Sequence, residues 1–350
     1  MVDSLIRKHL RAFEPYRSAR SELLQGRIFL DANELAFGSP LTFDGVDLNR
    51  YPDPFQLKLR SLLGEYCGVS AEQVFVGVGS DEVIDLLIRL FCEPGSDSIV
   101  MLEPTYGVYR VAAALSNVEV KPMELDKDFQ IDLERTLSAL SSGTKILFCC
   151  SPNNPSGNLL RKADIFKLCR SFSGIVVVDE AYAEFSGPAG RITPQELKDT
   201  ENLVVLKTLS KAWGLAGIRL GYCLANPVVV SHLLRIKAPY SINAVTSQLA
   251  MDAVSKKEFV KSSVQSVQQQ RLRLRAELQK LPCVLRIYPS DANFLLVEFG
   301  DPKKAFEKLL AGGIVVRRRS EERLKQCLRI TVGTEEENTS MLDLLRNLSA

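Results

Sequence analysis

The feature that most limits the possible folds is the regular alternation of short apolar runs with helical patterns between residues 74 and 224. The apolar runs that follow Val74 are 99–102, 145–150, 174–178, 203–206 and 219–224. The helical patterns between them cover residues 80–91, 106–115, 133–140 and 163–172. This alternation predicts an α/β fold with a mainly parallel sheet covered by helices on both faces. Ligands of such sheets bind at the carboxyl ends of the strands, so polar residues there are the first candidates for a site.

The length of the chain and a change of pattern after Pro239 predict two domains. A chain of 350 residues exceeds the usual domain size of roughly 100 to 200 residues. We expect an N-terminal arm and part of a small domain in residues 1–45, a large domain in 46–243, and an interdomain helix with a small α+β domain in 244–350. In this last part, 244–281 predicts one long helix, and the predicted strands are 284–287, 294–299, 314–317 and 328–332. Asp301 as N-cap, and Thr334 with Glu337 as a capping box, predict two further helix starts.

Composition disfavours several classes of function. The 44 Lys and Arg residues nearly balance the 42 Asp and Glu residues, so a net charge of +2 favours neither nucleic acid nor a membrane surface as partner. Without a signal-like apolar core or an apolar stretch of about 18 residues, the chain is expected in the cytoplasm. Eight cysteines without C-x-x-C spacing predict reduced core thiols. Because His9 and His232 are its only histidines, no metal site and no Ser-His-Asp triad are expected.

The segment 207–221 places a lysine among hydroxyl groups directly after an apolar strand. Thr208 and Ser210 precede Lys211 and can donate hydrogen bonds to an anion. The planar fork of Arg219 can bind the same anion. The amine of Lys211 can form an imine with an aldehyde, and a phosphate and an aldehyde occur together in pyridoxal 5'-phosphate. The alternative is a strand followed by a turn of small residues with solvated lysines.

Three other segments at predicted strand ends carry groups that suit the same cofactor. Ser80 and Asp81 follow a glycine loop that runs into a helix, where free N–H groups can hold a phosphate. Tyr106 follows the next strand and offers a flat face for a ring. Asn154 precedes a proline and can donate a hydrogen bond to a phenolate oxygen. Each has an ordinary alternative, which is core packing for Tyr106 and a turn for the other two segments.

Asp179 follows three consecutive valines, at the point where an apolar strand ends. A buried carboxylate needs a cation, and a protonated pyridine nitrogen would be one. Tyr182 could then reach the ring oxygen. The alternative for Asp179 is a helix N-cap. Arg329 lies within a predicted buried strand of the small domain and can bind a carboxylate, with a structural ion pair as its alternative.

Together these motifs resemble those of the fold type I, class II-like pyridoxal-phosphate aminotransferases, and within them the histidinol-phosphate aminotransferase group. The resemblance covers nearly the whole chain. The matching segments are Pro15-Tyr16, Asn49-Arg50-Tyr51-Pro52, Pro104-Thr105-Tyr106, Pro152-Asn153-Asn154-Pro155, Asp179-Glu180-Ala181-Tyr182, Thr208-Leu209-Ser210-Lys211, Leu215-Ala216-Gly217-Ile218-Arg219 and Tyr288-Pro289-Ser290-Asp291-Ala292-Asn293-Phe294. The resemblance implies a large domain with a mainly parallel, seven-stranded-type sheet between helices, and a smaller α+β domain.

The resemblance also implies how the cofactor is held. Lys211 would carry pyridoxal 5'-phosphate as an internal aldimine and move the α-proton of the substrate. Asp179 would meet the pyridine nitrogen, Asn154 and Tyr182 would meet the ring oxygen, and Tyr106 would stack on the ring. The groups around the cofactor phosphate would be Ser80, Asp81, Thr208, Ser210 and Arg219.

Tyr51 resembles a residue that such enzymes lend to the cofactor phosphate of the neighbouring subunit, which implies a homodimer. The residues that match substrate-binding positions are Tyr16, Asn33, Arg317 and Arg329. The implied reaction is ping-pong transamination between L-histidinol phosphate and 2-oxoglutarate, a step of histidine biosynthesis. Members of the wider group instead transaminate aromatic amino acids or decarboxylate threonine phosphate, and both alternatives remain open.

Two departures from the family pattern concern the substrate rather than the cofactor. Residues 31–36 lack the usual Asn-Pro continuation, and Ser320-Glu321-Glu322 follows the arginine run 317–319. Two hypotheses that assign the chain to other classes of protein also remain. A non-catalytic cofactor-sensing domain of a regulator would need a DNA-binding module, for which the N-terminal arm is short. A dinucleotide-binding oxidoreductase has support only from Gly77-Val78-Gly79, which lacks the third glycine of that fingerprint.

Overall fold

The computed structural model describes residues 2–11, 43–346 and 348, and its centre is a sheet of seven strands. The strands are β1 (Val74–Val78), β2 (Ser98–Glu103), β3 (Glu119–Glu124), β4 (Thr144–Cys150), β5 (Ile175–Asp179), β6 (Leu203–Thr208) and β7 (Leu220–Leu224). They lie side by side in the order β1-β7-β6-β5-β4-β2-β3. Strand β7 runs antiparallel to both of its neighbours, and the other pairs are parallel. The prediction of a mainly parallel sheet is therefore confirmed.

Helices flank the sheet and continue to the end of the chain. In the described residues they are α1 (Val2–Leu5), α2 (Lys8–Arg11), α3 (Leu57–Cys67), α4 (Gly79–Phe91), α5 (Val108–Leu115), α6 (Leu133–Ala139), α7 (Lys162–Ser171), α8 (Pro194–Lys198), α9 (Pro227–Ile236), α10 (Ala244–Val254), α11 (Lys257–Leu278), α12 (Pro302–Ala311) and α13 (Glu335–Arg346). None of these helices combines the length and the apolar character that are needed to cross a bilayer.

Two hydrophobic clusters bury the two faces of the large sheet. Along β5, Val176 and Val178 belong to the cluster that contains α3 and α7. Ile175 and Val177 belong to the other cluster, which contains α4, α5 and α9. Successive side chains of a strand point to opposite faces, so a strand covered on both sides must be apolar at every position. This requirement explains the continuous apolar runs of the sequence.

A second sheet of four antiparallel strands follows in the chain. Its strands are β8 (Val284–Ile287), β9 (Phe294–Phe299), β10 (Arg317–Arg318) and β11 (Cys327–Thr331), and their order is β10-β11-β9-β8. A third hydrophobic cluster packs α11, α12 and α13 against this sheet. The predicted smaller α+β unit is confirmed, whereas the boundaries at residues 45 and 243 stay a prediction.

Three predictions of secondary structure were wrong or incomplete. Residues 244–281 form two helices, α10 and α11, separated by a turn at Ser255 and Lys256, where the Ser255 hydroxyl donates to the carbonyl of Asp252 at 2.6 Å. No glycine or proline marks this break. Of the predicted strand 314–317, only Arg317 is in a strand, the two-residue β10. The edge strand β3 was not predicted, since none of its residues is fully buried and it includes Pro122.

Candidate active site

One pocket lies at the carboxyl ends of β1, β2, β4, β5 and β6. Its lining brings together ten residues that the sequence singled out: Ser80, Asp81, Tyr106, Asn154, Asp179, Tyr182, Thr208, Ser210, Lys211 and Arg219. Cys150 and Ala181 complete the lining. These residues are distant in the chain and meet because parallel strands end at the same edge of a sheet. The location agrees with the rule for ligand sites in such folds.

Asp179 is the most deeply buried acid of the pocket. It is the last residue of β5 and only 3% exposed, and no described residue forms an ion pair with it. Its Oδ2 accepts a hydrogen bond from the hydroxyl of Tyr109 at 2.6 Å, and its Oδ1 accepts one from the backbone N–H of Ala181 at 3.0 Å. Burial raises the pKa of Asp179, and these two hydrogen bonds oppose the rise. The N-cap alternative is not observed, because Asp179 ends a strand and precedes no α-helix directly.

Tyr109 is a site residue to which the sequence analysis assigned no role. Its ring is fully buried, stacked on Phe148 with a centroid distance of 4.5 Å, and packed edge-on against Tyr106 at 5.6 Å. Burial, and then the charge of Asp179, raise the pKa of Tyr109, so the phenol stays protonated and donates. The sequence signal for this residue would have been its position three residues after Tyr106, near the start of the predicted helix 106–115.

Lys211 projects into the pocket from the loop after β6. Its side chain is exposed to the open pocket, and its Nζ lies 5.6 Å from the ring centroid of Tyr182. The surrounding protein displaces enough water to lower the pKa of Lys211, and the positive charge of Arg329 adds to this effect. The charges of Asp179 and Asp81 oppose it. The balance is a lowered pKa, which raises the fraction of neutral amine above that of a lysine in water. The neutral amine is the form that acts as nucleophile and base.

Lys207 has a different environment from Lys211. It is buried, and its Nζ lies 2.6 Å from the carboxylate of Glu180, which is 1% exposed. Burial alone would lower the pKa of Lys207, but Glu180 and Glu184 outweigh burial and raise it. Lys207 is therefore a permanently charged partner in a buried ion pair, away from the pocket.

The start of α4 and the loop between β6 and β7 form one wall of the pocket. Arg219 lies within 3.5 Å of both the Ser210 hydroxyl and the Asp81 carboxylate. Its backbone is in the left-handed region at φ 53°. A side chain at Gly221 would place a Cβ 2.2 Å from the backbone nitrogen of Ser80, so only glycine permits β7 to approach the start of α4 so closely. The free N–H groups of this helix start and the Arg219 fork make a wall suited to a phosphate.

Tyr106 and Asn154 are each tied to another residue of the site. The Tyr106 hydroxyl donates to Asp81 at 3.0 Å. Arg329 donates from its Nη1 to Oδ1 of Asn154 at 2.5 Å. Arg329 is half-buried rather than buried, because it lies on β11 beside the short edge strand β10. The contact joins the small sheet to the rim of the pocket.

The remaining predicted site residues do not line this pocket. Arg317 is exposed and lies directly opposite Arg329 in the β10–β11 pair. Tyr51 is 51% exposed, stacks on Tyr240 at a centroid distance of 4.5 Å, and lines a separate surface pocket. Tyr16 and Asn33 lie outside the described residues.

The family model for aminotransferase class I and II matches residues 28–345 of the chain. The chain therefore belongs to this family, as its fold and its lysine-bearing pocket indicate.

Individual relatives and solved structures show which members of this family the chain is similar to. A histidinol-phosphate aminotransferase of Parabacteroides distasonis is 44% identical over 349 residues, which cover 99% of both chains. The crystal structure of the histidinol-phosphate aminotransferase from Clostridium acetobutylicum has a TM-score of 0.79 at 25% identity, covering 85% of this chain and 90% of that one. The enzyme of that name from Sinorhizobium meliloti, solved in complex with pyridoxal-5'-phosphate, has a TM-score of 0.77 at 23% identity, covering 85% and 82%.

Proposed function

We propose that the chain transaminates L-histidinol phosphate with 2-oxoglutarate and uses pyridoxal 5'-phosphate as cofactor. One observation carries the proposal: a lysine with a lowered pKa, a buried carboxylate without a cation and a phosphate-binding wall share one pocket. The names of the full-length relatives support the choice of histidinol phosphate as substrate.

The residues of the pocket fit the proposed cofactor. Asp179 is a buried acid that lacks a cation among the described residues, and a protonated pyridine nitrogen would supply it. The residues that would hold the phosphate are Ser80, Asp81, Thr208, Ser210 and Arg219. Tyr106 would stack on the ring, and Asn154 and Tyr182 would bind its oxygen. When bound, pyridoxal 5'-phosphate supplies an aldehyde for the substrate amine and a protonated ring that withdraws electrons from the substrate Cα.

The protein groups would divide the remaining work. Lys211 would hold the cofactor through its aldehyde, and its free amine would take the proton from the substrate Cα and then return it. Its lowered pKa increases the fraction of free base near neutral pH. Asp179 would keep the ring nitrogen protonated, because its carboxylate has no other cation among the described residues. Tyr109 holds Asp179 in one orientation through the 2.6 Å hydrogen bond.

The substrate anion would bind beside the arginines of the small sheet. Arg329 is anchored to Asn154 at the pocket rim, and Arg317 lies opposite it in the strand pair. Guanidinium groups bind both phosphates and carboxylates in a bidentate way, so one site can serve histidinol phosphate and glutamate in turn. Tyr16 and Asn33 are proposed to complete this site.

We propose a cytoplasmic homodimer as the working form. Tyr51 supports this arrangement because its ring is half exposed on a surface pocket away from the chain's own Lys211. In the dimer it would reach the cofactor phosphate of the other subunit.

Tyr109→Phe is expected to weaken cofactor binding about tenfold, because a hydrogen bond to a buried carboxylate is lost and the Asp179 pKa rises further. The measurement is the dissociation constant of the apoprotein for pyridoxal 5'-phosphate. Tyr66→Phe is the matched control, since Tyr66 packs edge-on against Trp213 outside this pocket. Equal affinities of the Tyr109→Phe variant and wild type would show that the hydrogen bond does not support the cofactor.

Steady-state kinetics test the proposed function. With histidinol phosphate and 2-oxoglutarate varied together, glutamate formation should give parallel double-reciprocal lines, because each substrate meets a different form of the enzyme. Intersecting lines, or no glutamate, would refute the proposed reaction.

A further inference from the structure

Three arginines lie close together near the edge of the small sheet. Arg317 and Arg329 are direct partners in the antiparallel β10–β11 pair, so their side chains leave the same face with Cβ atoms about 5 Å apart. Arg319 follows two residues after Arg317. Burial lowers the pKa of Arg329, Tyr182 opposes this effect, and the charges of Arg319 and Arg317 add to the lowering. Three guanidinium charges near this edge of the small sheet favour the binding of an anion.

Arg319 has an internal anion as partner. Its Nη2 pairs with Oε1 of Glu321, and Oε2 of Glu321 accepts the backbone N–H of Ser320 at 3.1 Å. The Arg319 side chain is 14% exposed, whereas that of Glu321 is 39% exposed. The Nε of Arg319 is buried and has no hydrogen-bond partner. The Arg319 side chain is therefore mostly buried and keeps one N–H donor, its Nε, without an acceptor. The Glu321 side chain is more exposed to solvent than that of Arg319.

The loop that carries this pair is anchored to the large sheet. Arg323 donates from Nη1 to the carbonyl of Leu125 at 2.7 Å, and from Nη2 to the carbonyl of Asp126. Its guanidinium lies 4.2 Å from the ring centroid of Phe129. Leu324, the next residue, is fully buried. These contacts fix the position of the Arg319–Glu321 pair relative to the pocket.

We propose that Arg319 is a third arginine of the substrate-anion site and that Glu321 is its resident counter-anion, which a phosphate group displaces. The inference rests on the proposed function, because it assigns the phosphate of the amino donor to this site. A dianionic phosphate offers more charge to Arg319 than the Glu321 carboxylate does, and it has three acceptor oxygens where the carboxylate has two. A monoanionic carboxylate offers no such gain over Glu321. The pair would thus favour phosphorylated donors over ordinary amino acids.

The direct test is the dissociation constant of the holoenzyme for inorganic phosphate, measured by calorimetry at low ionic strength. In the holoenzyme the cofactor fills its own phosphate site. Arg319→Gln should raise this constant about tenfold, because a charge-assisted hydrogen bond is lost, and Arg319→Lys should give an intermediate value. Glu321→Gln should lower it about two- to fivefold, because the competing carboxylate is gone.

Glu322→Gln is the matched control for the charge change. Glu322 is the neighbouring acid, its side chain is 86% exposed, and it pairs with Lys325. It should leave the dissociation constant unchanged. If Glu321→Gln leaves phosphate binding unchanged or weakens it, or if Arg319→Gln has an effect below about twofold, the pair is structural and the proposal is wrong.

Kinetics separate this proposal from the proposed function. In Arg319→Gln, KM for histidinol phosphate should rise about tenfold with kcat nearly unchanged, and KM for 2-oxoglutarate should change much less. If wild type fails to convert histidinol phosphate, the proposed function is refuted. The phosphate-binding comparison still decides the role of Arg319, because it requires no turnover.

Discussion

Lys211→Ala is expected to reduce transamination by more than about 10³-fold, because the variant loses the nucleophile and the base together. It should also lose the visible absorbance of the lysine-bound cofactor. The lowered pKa of Lys211 in the pocket is the physical reason to assign both roles to one amine. Turnover and absorbance should be measured on the same cofactor-loaded samples.

A surface lysine provides the control for this experiment. Lys303 lies on α12 with a side chain that is 71% exposed, and Lys303→Ala should keep both turnover and absorbance. Borohydride reduction of the wild type should attach the cofactor covalently to the peptide that contains Lys211. Attachment to another lysine, or wild-type turnover of Lys211→Ala, would contradict the assignment.

Asp179→Asn is expected to lower turnover by about 10² to 10³-fold, because the neutral amide cannot keep the ring nitrogen protonated. The change is isosteric, so the amide oxygen can still accept from the backbone N–H of Ala181. The amide NH2 cannot accept from the Tyr109 hydroxyl, which would have to rotate and become the acceptor of that contact. The measurement is kcat with saturating cofactor, together with the ¹⁵N chemical shift of labelled cofactor, which reports protonation of the ring nitrogen directly.

Glu184→Gln is the matched control, since Glu184 is also a buried acid, with 5% exposure, but lies outside the pocket. Its kcat and ¹⁵N shift should equal those of wild type. A normal kcat in Asp179→Asn would show that the reaction does not depend on a protonated ring, and would overturn the role of Asp179.

The fold was predictable for strands that are buried on both faces of the sheet, because such strands are continuous apolar runs in the sequence. Strand β5 is an apolar run that ends in Asp179, and this pattern predicted both the strand and the position of the acid. Edge strand β3 is not such a run, because one side of it meets solvent. The break between α10 and α11 lies at Ser255 and Lys256, where no glycine or proline signals the end of a helix.

The site residues that directly follow strands were predictable from the sequence. Residues whose role depends on the three-dimensional arrangement of other segments were less so. Nine of the ten predicted residues in the pocket end or follow a parallel strand or start the next helix. The tenth, Arg219, directly precedes antiparallel strand β7, which begins at the same edge of the sheet. Tyr109 was missed because its hydroxyl acts on Asp179, which is 70 positions further along the chain. The pairing of Arg319 with Glu321 depends on how the loop after β10 folds. The roles of these residues in binding remain proposals that the variants above test.

The most direct test of the central claim is single-turnover spectroscopy of the cofactor-loaded enzyme without 2-oxo acid. Histidinol phosphate, phenylalanine and threonine phosphate should be mixed with it in parallel, and the loss of the visible band followed in time. We predict that histidinol phosphate removes the band fastest and that 2-oxoglutarate then restores it. If only phenylalanine removes the band, or if threonine phosphate loses carbon dioxide instead, the proposed substrate is wrong.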